Sequence, residues 1–136
     1  MCPTRELAEF LNESPGFAGT SQTIEAYLFN GPELLYRTKH TVLGTPYHRN
    51  REGIIDGHTV LASKNDETIK EIVERRKIDL LLICPHSQEE HAYFVKEGEA
   101  GSLYQRLEEQ HIPSWLYRLP LPEPLSENFA LFRVQR

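Results

Sequence analysis

Four hydrogen-bonding side chains stand in a row at Tyr47-His48-Arg49-Asn50, directly after a short apolar run. The run, residues 41–45, predicts a strand, and a phenol, an imidazole, a guanidinium and an amide follow at its end. Each of these groups must find a partner or stay in water. Because ligands usually bind beyond the carboxyl ends of parallel strands, we expect a ligand site at this segment.

Two further polar clusters are predicted to reach the same edge of the sheet. Asn30 and Gly31 precede a predicted helix, and His86 follows a predicted strand at residues 78–84. If the first three strands run parallel, their carboxyl ends lie side by side and bring these groups together. A helix N-terminus beside an Arg and a His suits a phosphate or a carboxylate.

Within residues 47–50 the side chains have distinct roles open to them. Arg49 would pair with the anion, His48 would donate or accept a proton, and Asn50 would orient the ligand. The segment also has a structural interpretation, in which Arg and Asn bond backbone carbonyls and a Tyr-His pair packs beneath the loop. Both interpretations fit the sequence.

Other kinds of site find less support. A metal site built from His40, His48, Asp56 and His58 would have irregular spacing, without the i,i+4 pairing of helical zinc motifs or any CxxC pair. The sequence contains no Gly-x-Ser-x-Gly elbow and no Gly-rich phosphate loop. We therefore predict no catalytic residue, no metal and no cofactor in this chain.

Composition limits the class of protein. A chain of 136 residues is long enough for one domain with a core and short for two. Its net charge of −5 and its scattered basic residues argue against a nucleic-acid binder. The one basic triplet, residues 75–77, suits a helix C-terminus. The sequence has no apolar run of membrane-spanning length and no signal peptide.

Two cysteines, Cys2 and Cys84, are too few for a disulfide framework or a metal cluster. Cys84 ends an apolar run, so we interpret it as a small buried side chain and not as a nucleophile. A Cys2–Cys84 disulfide stays open, because sequence alone cannot establish the geometry that it needs.

Hydrophobic periodicity predicts alternating helices and strands. Helices are expected over residues 3–11, 32–37, 63–75, 88–95 and 102–110, and strands over residues 23–29, 41–45, 78–84, 115–121 and 129–135. Residues 12–21 and 47–61 are expected to be loops, the second with Gly53 and Gly57 as hinges, and residues 122–126 a Pro-rich turn.

These elements predict a fold and the residues that begin its helices. Ser63 followed by Asp66 resembles a capping box, Ser87 is expected to cap the helix that follows it, and Ser102 is expected to begin the next one. Pro120 cannot donate to a ladder, so its strand should lie at an edge. We expect an α/β fold, a three-layer sandwich with a mainly parallel central sheet and a C-terminal antiparallel hairpin.

Several segments together carry a more specific resemblance, spread over nearly the whole chain. They are Gly31-Pro32-Glu33-Leu34-Leu35-Tyr36-Arg37-Thr38-x-His40, Pro46-Tyr47-His48-Arg49-Asn50 with Gly53-Ile54, residues 78–85, and residues 129–134. The chain resembles the C-terminal soluble tail of bacterial polytopic inner-membrane proteins that are distantly similar to glycosyltransferases using lipid-linked sugars. The candidate ligand-binding residues are accordingly Asn30, Gly31, Arg37, His40, Tyr47, His48, Arg49, Asn50 and His86.

The resemblance implies a single domain, residues 1–136, cut from a longer protein. The membrane helices would lie in the preceding part, and this domain would lie on the periplasmic side of the inner membrane. In such glycosyltransferases the acidic catalytic residues usually lie in loops between membrane helices, so none is carried over to this sequence. The expected role is non-catalytic recognition of an acceptor or a lipid-linked sugar, with the membrane part and the sugar as partners.

Two other functions remain open. One is a free-standing small α/β enzyme that acts on a phosphorylated or carboxylated metabolite at the same strand edge. The other is an interaction module, which would present an exposed apolar patch in place of a polar cleft. The reading frame upstream of Met1 separates the first from the membrane hypothesis, because several apolar 20-residue segments would support the latter.

Overall fold

The computed structural model describes residues 2–19, 21–27, 37–43, 51–96 and 100–136, and within them the chain is α/β with a five-stranded mixed sheet. The strands are β1 Thr23–Glu25, β2 Thr41–Leu43, β3 Leu80–Ile83, β4 Leu116–Leu119 and β5 Ala130–Val134. The helices are α1 Thr4–Glu13, α2 Pro15–Ala18, α3 Arg51–Ala62, α4 Asp66–Arg75, α5 Gln88–His91, which continues as a π-helical turn Ala92–Lys96, α6 Leu103–Glu108 and α7 Leu125–Asn128.

The sheet has the strand order β2-β1-β3-β5-β4. β1 pairs in parallel with both β2 and β3, which confirms the parallel arrangement predicted for the first three strands. β5 pairs antiparallel with β3 and β4, and β4 lies at the edge, as Pro120 predicted. The carboxyl ends of β1, β2 and β3 therefore lie along one edge of the sheet, and their amino ends along the opposite edge.

Alternate residues of β3 pack into two separate hydrophobic clusters. Leu80 and Leu82 lie in the cluster that contains α1, α2 and α7, and we call this side of the sheet the disulfide face. Leu81 and Ile83 lie in the cluster that contains α3, α4 and α6, and we call this side the acid face. All four leucine and isoleucine side chains are buried, as expected for a continuous apolar run in a central strand.

The N-terminal helix forms where its apolar spacing predicts. Leu7 and Leu11 are one turn apart and both buried, so α1 lays one apolar face on the sheet. The predicted loop over residues 12–21 is wrong in part, because α1 extends to Glu13 and the short helix α2 follows. Pro15 at the first position of α2 explains why a Pro-Gly stretch can still begin a helix.

The predicted loop over residues 47–61 is wrong from Arg51 onward, where α3 begins. Gly53 and Gly57 suggested hinges because glycine lowers helix propensity. Both glycines are instead buried within α3. The missing side chain at Gly57 lets this helix approach the sheet closely.

The capping box predicted at Ser63 and Asp66 is wrong by two residues. The cap of α4 is Asn65, whose side chain accepts from the backbone N–H groups of Glu67 and Thr68. Ser63 instead accepts from the N–H of Asn65, 3.0 Å away. The predicted cap Ser87 is confirmed, since it accepts from the N–H three residues on. Ser102, which was predicted to begin a helix, caps α6 in the same way.

Smaller differences concern the ends of elements. The predicted turn at residues 122–126 is wrong at its end, because residues 125 and 126 already belong to the short helix α7, which precedes β5. Residues 28–29 and 44–45 of two predicted strands lie outside the described residues, as does the predicted helix 32–37 apart from Arg37. Among the helices that the structure describes, none has the length and apolar character to cross a bilayer.

A disulfide joins Cys2 to Cys84, the pairing that the sequence left open. It ties the residue before α1 to the residue that follows β3, across 82 positions of sequence. Cys84 is buried in the disulfide face, as predicted for its apolar surroundings. The bond therefore fastens α1 to the centre of the sheet.

Candidate functional site

The structure describes three of the nine predicted ligand-binding residues. Arg37, His40 and His86 are described, and the other six, which are Asn30, Gly31, Tyr47, His48, Arg49 and Asn50, lie outside the described residues. The convergence of Asn30, Arg49 and His86 therefore stays a prediction. What the structure does give is the environment of the three described residues and of the strand ends around them.

His40 lies at the amino edge of the sheet, directly before β2. Its Nδ1 accepts from the backbone N–H of Gln22, 3.0 Å away, across the start of β1 and β2. Its Nε2 is buried without a hydrogen-bond partner, and burial, with Lys39 nearby, lowers the pKa of the imidazole. His40 thus joins two strand starts in its neutral form, at the edge opposite to His86.

Arg37 and His86 are exposed, and they lie in different parts of the fold. The backbone carbonyl of Arg37 accepts from the side-chain amide of Asn12, 2.6 Å away, which ties the chain before β2 to the end of α1. His86 lies in the turn after β3, at the carboxyl edge where the ligand site was predicted. Of the three described residues, only His86 is at that edge.

A site that the sequence did not predict begins at Glu25, the last residue of β1. Glu25 pairs in register with Leu43 and Leu81, so its side chain lies on the acid face. It is buried, and its Oε1 has no hydrogen-bond partner. Burial is the main cause that raises the pKa of this carboxyl well above its usual value, and the nearby Glu90 raises it further.

Glu90, in α5, is the second buried carboxyl of this site. Its Oε2 accepts from the backbone N–H of Cys84 at 2.6 Å and from the hydroxyl of Tyr104 at 3.3 Å, while its Oε1 has no partner. Burial raises the pKa of Glu90 to about 8, although the two hydrogen bonds oppose that rise. Glu90 therefore keeps its proton to a higher pH than an exposed glutamate does.

Aromatic rings pack together on the acid face, and the hydroxyl of one of them, Tyr104, bonds to Glu90. The ring of Phe94 lies 5.0 Å from that of Tyr104 and 5.6 Å from that of His58, both in stacked arrangements. Tyr93 meets Tyr27 edge-on, with 5.2 Å between ring centroids. Such packing excludes water, which explains why burial dominates the shifts in pKa of both acids.

Helix α3 closes the site from the side, at Gly57. A Cβ built on Gly57 would collide with Oε1 of Glu25 and would lie 3.0 Å from its Cδ. The carboxyl of Glu25 therefore contacts the backbone of α3, where only glycine fits without displacement. The end of β1, helix α3 and helix α5 together position the pair.

The signals for this pair were present in the sequence but weak. Glu25 is the one charged residue in the apolar run of residues 23–29, where a solvated position is not expected. Ser87 and Glu90 have capping-box spacing, which normally places the Glu near the helix surface. Here the carboxyl of Glu90 turns instead toward the N–H of Cys84, and only the tertiary structure shows it.

The raised pKa values of Glu25 and Glu90 decide which chemistry these two carboxyls can carry out. Neutral carboxyls donate as well as accept hydrogen bonds. Strongly perturbed acids are frequent at functional sites, although structural networks also contain them.

Two solved structures have folds similar to this chain. Both are C-terminal globular domains of oligosaccharyltransferase from Archaeoglobus fulgidus. One has 13% sequence identity and a TM-score of 0.71 and covers 99% of this chain and 99% of that one. The other has 12% identity and a TM-score of 0.61 and covers 99% of this chain and 97% of that one. At such low identity these likenesses establish the fold.

No protein-family model matches the sequence, and no curated protein matches it. The comparisons thus place the described α/β fold among C-terminal globular domains of oligosaccharyltransferase.

Proposed function

We propose that this chain is a non-catalytic, extracytoplasmic domain of a membrane glycosyltransferase-like protein, where it helps to recognise an acceptor or a lipid-linked sugar. The observation that supports this most strongly is the likeness to oligosaccharyltransferase C-terminal domains, because it extends over 99% of this chain and of one neighbour. The domain would be part of a longer protein whose membrane helices precede it, with the three-layer arrangement predicted from the sequence.

The disulfide supports an extracytoplasmic location independently of the fold. Disulfides persist in oxidising compartments and are rare in a reducing cytosol. The Cys2–Cys84 bond joins a buried core position, so it has a structural role in this fold. The periplasmic side of the inner membrane is an oxidising compartment, and we place the domain there.

Recognition would centre on residues 47–50 at the carboxyl edge of the parallel strands. The guanidinium of Arg49 suits the phosphate groups of a lipid-linked sugar, because it offers a bidentate pair of donors. His48 and Asn50 would bind sugar hydroxyls beside it, with Asn30, Gly31 and His86 as neighbours. The support for this step is the parallel pairing of β1, β2 and β3, which aligns the strand ends that precede these residues.

A direct binding measurement tests this proposal. The isolated domain would be titrated with a short-chain polyprenyl pyrophosphate that carries one sugar, and with inorganic pyrophosphate for comparison. We expect Arg49→Ala to weaken binding at least about 10-fold, since a charge-assisted bond contributes on the order of 1.5–3 kcal/mol. Arg118→Ala, on the exposed part of β4, is the matched control and should bind like the wild type.

The outcomes separate the two interpretations of residues 47–50. Equal binding by the wild type and by Arg49→Ala would contradict the recognition role. A loss of the cooperative unfolding transition in Arg49→Ala or His48→Ala would instead favour the structural role, in which these side chains hold the loop.

The alternative is a free-standing small α/β enzyme that acts on a phosphorylated or carboxylated metabolite. The buried Glu25–Glu90 pair favours it, because a protonated carboxyl near neutral pH can serve as a general acid. Incubation with a panel of sugar phosphates, followed by ³¹P NMR, tests it. Turnover that disappears in Glu25→Gln would support the enzyme, and an unchanged spectrum over hours would argue against it.

A further inference from the structure

A cleft lies beside the last residues of β4, on the disulfide face of the sheet. Its volume is about 420 Å³, within the range of small-molecule sites, roughly 300–1,000 Å³. The residues that line it come from β4, from the turn that follows β4, and from α7 with Phe129 directly after it. None of them belongs to the Glu25–Glu90 site or to the predicted ligand-binding residues, so the cleft is a separate feature of the fold.

The cleft lies at the carboxyl edge of the parallel strands. β3 and β4 are both antiparallel to β5, so they end at the same edge of the sheet, and β5 begins there. Leu119, the last residue of β4, and Phe129, the residue before β5, therefore lie at this edge. Because ligands of α/β sheets usually bind beyond the carboxyl ends of parallel strands, the cleft lies where a ligand site is expected.

The cleft combines a buried apolar floor with one exposed aromatic ring. Phe129 is buried in the hydrophobic cluster of the disulfide face, and Leu119 and Leu121 pack against that cluster. Side chains alternate along a strand, and Leu116 belongs to the cluster of the acid face, so Tyr117 lies on the disulfide face with Leu119. Tyr117 is 55% exposed. Its ring therefore offers an apolar surface to a ligand in the cleft.

Uncharged hydrogen-bonding groups also line the cleft. Ser126 contributes an exposed hydroxyl. The N–H of Gln135 donates to the carbonyl of Trp115 at 2.9 Å, so the odd-numbered residues of β4 bond to β5 and the even-numbered ones face the free edge. The backbone N–H and C=O of Arg118 therefore point away from β5. Because side chains alternate, that of Arg118 lies on the acid face, and the cleft has polar groups without a charge.

A peptide strand does not fit this edge of the sheet. The N–H of Leu116 already donates to the carbonyl of Pro113 at 3.1 Å, and its C=O accepts from the side-chain amide of Gln135 at 3.4 Å. Pro120 has no N–H to donate. Of the outward-facing residues 116, 118 and 120, only Arg118 is left with both a donor and an acceptor, whereas an added strand needs a ladder of them. The edge therefore suits a compact ligand.

We infer that the cleft binds an uncharged saccharide, with the ring of Tyr117 stacked on a sugar and with Ser126 and the backbone of Arg118 bonded to its hydroxyls. A sugar ring suits these groups, because it presents one apolar face of C–H groups and a rim of hydroxyls that both donate and accept. A hydrocarbon chain would cover the same backbone groups and leave them without partners. The inference deepens the proposed function and rests on it for the source of the saccharide, the lipid-linked sugar.

An NMR titration with methyl glycosides tests the cleft without any phosphate. Methyl glycosides of glucose, galactose, mannose and N-acetylglucosamine would be added to the ¹⁵N-labelled chain, and its backbone amide signals followed. We expect at least one glycoside to shift the amides of Tyr117, Arg118 and Ser126 in a saturable way. The absence of such shifts up to about 50 mM, well above the dissociation constant of a weak millimolar site, would overturn the inference. Shifts of these amides by geraniol alone would show a hydrocarbon site and would overturn it too.

Variants of the lining residues separate a stacked sugar from an unspecific contact. Tyr117→Ala should weaken binding at least about fivefold, and Tyr117→Phe, which keeps the ring, should stay within about twofold of the wild type. Ser126→Ala should also weaken binding, and it serves as the second variant if Tyr117→Ala does not fold. Arg118→Ala keeps the backbone groups and should bind like the wild type. Ile55→Ala is the matched control, because Ile55 on α3 is 53% exposed. Equal affinity in the wild type and in Tyr117→Ala would contradict the stacked sugar.

The cleft and residues 47–50 can be told apart with the same probes. Methyl glycosides carry no phosphate, so Arg49→Ala should bind them like the wild type. If Arg49→Ala loses the glycosides and Tyr117→Ala keeps them, the saccharide cleft is wrong and the proposed function stands. If Tyr117→Ala loses the glycosides and Arg49→Ala binds the polyprenyl pyrophosphate sugar like the wild type, the recognition role of residues 47–50 fails and the cleft stands.

Discussion

The two faces of the central sheet differ sharply in what they bury. On the disulfide face, Leu80 and Leu82 pack against the apolar stripe of α1, and a covalent bond fixes that helix in place. On the acid face, Leu81 and Ile83 share their cluster with Tyr27 and Tyr104. The buried carboxyls of Glu25, in register with Leu81, and of Glu90, bonded to Tyr104, lie on the same side of the sheet.

This difference separates what stabilises the fold from what can respond to conditions. Apolar burial and a disulfide contribute free energy that hardly depends on pH. Buried acids make the free energy of unfolding depend on pH, because they hold protons that the unfolded chain releases. The acid face is also the side on which α3 begins, next to the predicted recognition residues.

The largest effect is expected from removing the disulfide. A double variant, Cys2→Ala with Cys84→Ala, should lower the free energy of unfolding by about 2–5 kcal/mol, because the bond closes a long loop. Urea denaturation followed by circular dichroism measures it. The loss in unfolding free energy should be the same at about pH 6 and about pH 8. A loss confined to one pH would contradict the claim that the stability of the disulfide face does not depend on pH.

An intermediate effect is expected on the acid face at Gly57. Gly57→Ala places a methyl group against Glu25 and should cost about 1–3 kcal/mol of unfolding free energy. Gly16→Ala is the matched control, because a Cβ at Gly16 would have no heavy atom within 4 Å. Both are measured by urea denaturation.

A double-mutant cycle then locates the contact. Glu25→Ala combined with Gly57→Ala should cost less than the sum of the two single variants, since the first makes room for the second. Additive costs would contradict a direct contact between α3 and Glu25.

The smallest effect is expected at Asn65, the cap of α4. This helix packs on the acid face, but its cap has no contact with the buried carboxyls of Glu25 and Glu90 among the hydrogen bonds of the described residues. Asn65→Ala should cost about 1 kcal/mol, since two backbone N–H groups lose their acceptor. Lys64→Ala, at an exposed neighbouring position, should be nearly neutral. The difference in unfolding free energy between Asn65→Ala and the wild type should be independent of pH. A difference that changes with pH would show that the start of α4 is coupled to the buried acids.

Sequence predicted the elements whose signals are local. The run of residues 78–84 predicted a buried central strand, and Ser87 and Ser102 predicted their helix starts, because cap and strand signals lie within a few residues. Helix α3 was missed because Gly53 and Gly57 lower its local propensity. At Gly57 the reason for glycine is the carboxyl of Glu25, which lies on another element.

The candidate site divides in the same way. The polar residues 47–50 stand out in the sequence because four hydrogen-bonding side chains follow one another. The Glu25–Glu90 pair does not, because its members are 65 positions apart in the chain, and only the fold brings them near enough for Glu90 to raise the pKa of Glu25. The pairing of Cys2 with Cys84 likewise depends on a distance that only the fold fixes.

The difference between the two faces is tested most directly by the pH dependence of stability. The pKa of Glu90 is about 8 in the folded protein against a usual 4.5, so between those values the folded protein holds a proton that the unfolded chain releases. Stability contributed in this way falls as the pH rises through that window. His40 acts in the opposite direction, since its lowered pKa makes stability rise with pH up to about 6.5.

A comparison of wild type with Glu90→Gln therefore isolates the carboxyl, by urea denaturation in steps from about pH 5 to about pH 9. We predict that the wild type loses stability over this range and that Glu90→Gln loses markedly less, while Glu127→Gln follows the wild type. Identical pH profiles for wild type and Glu90→Gln would contradict a protonated acid pair beneath α3.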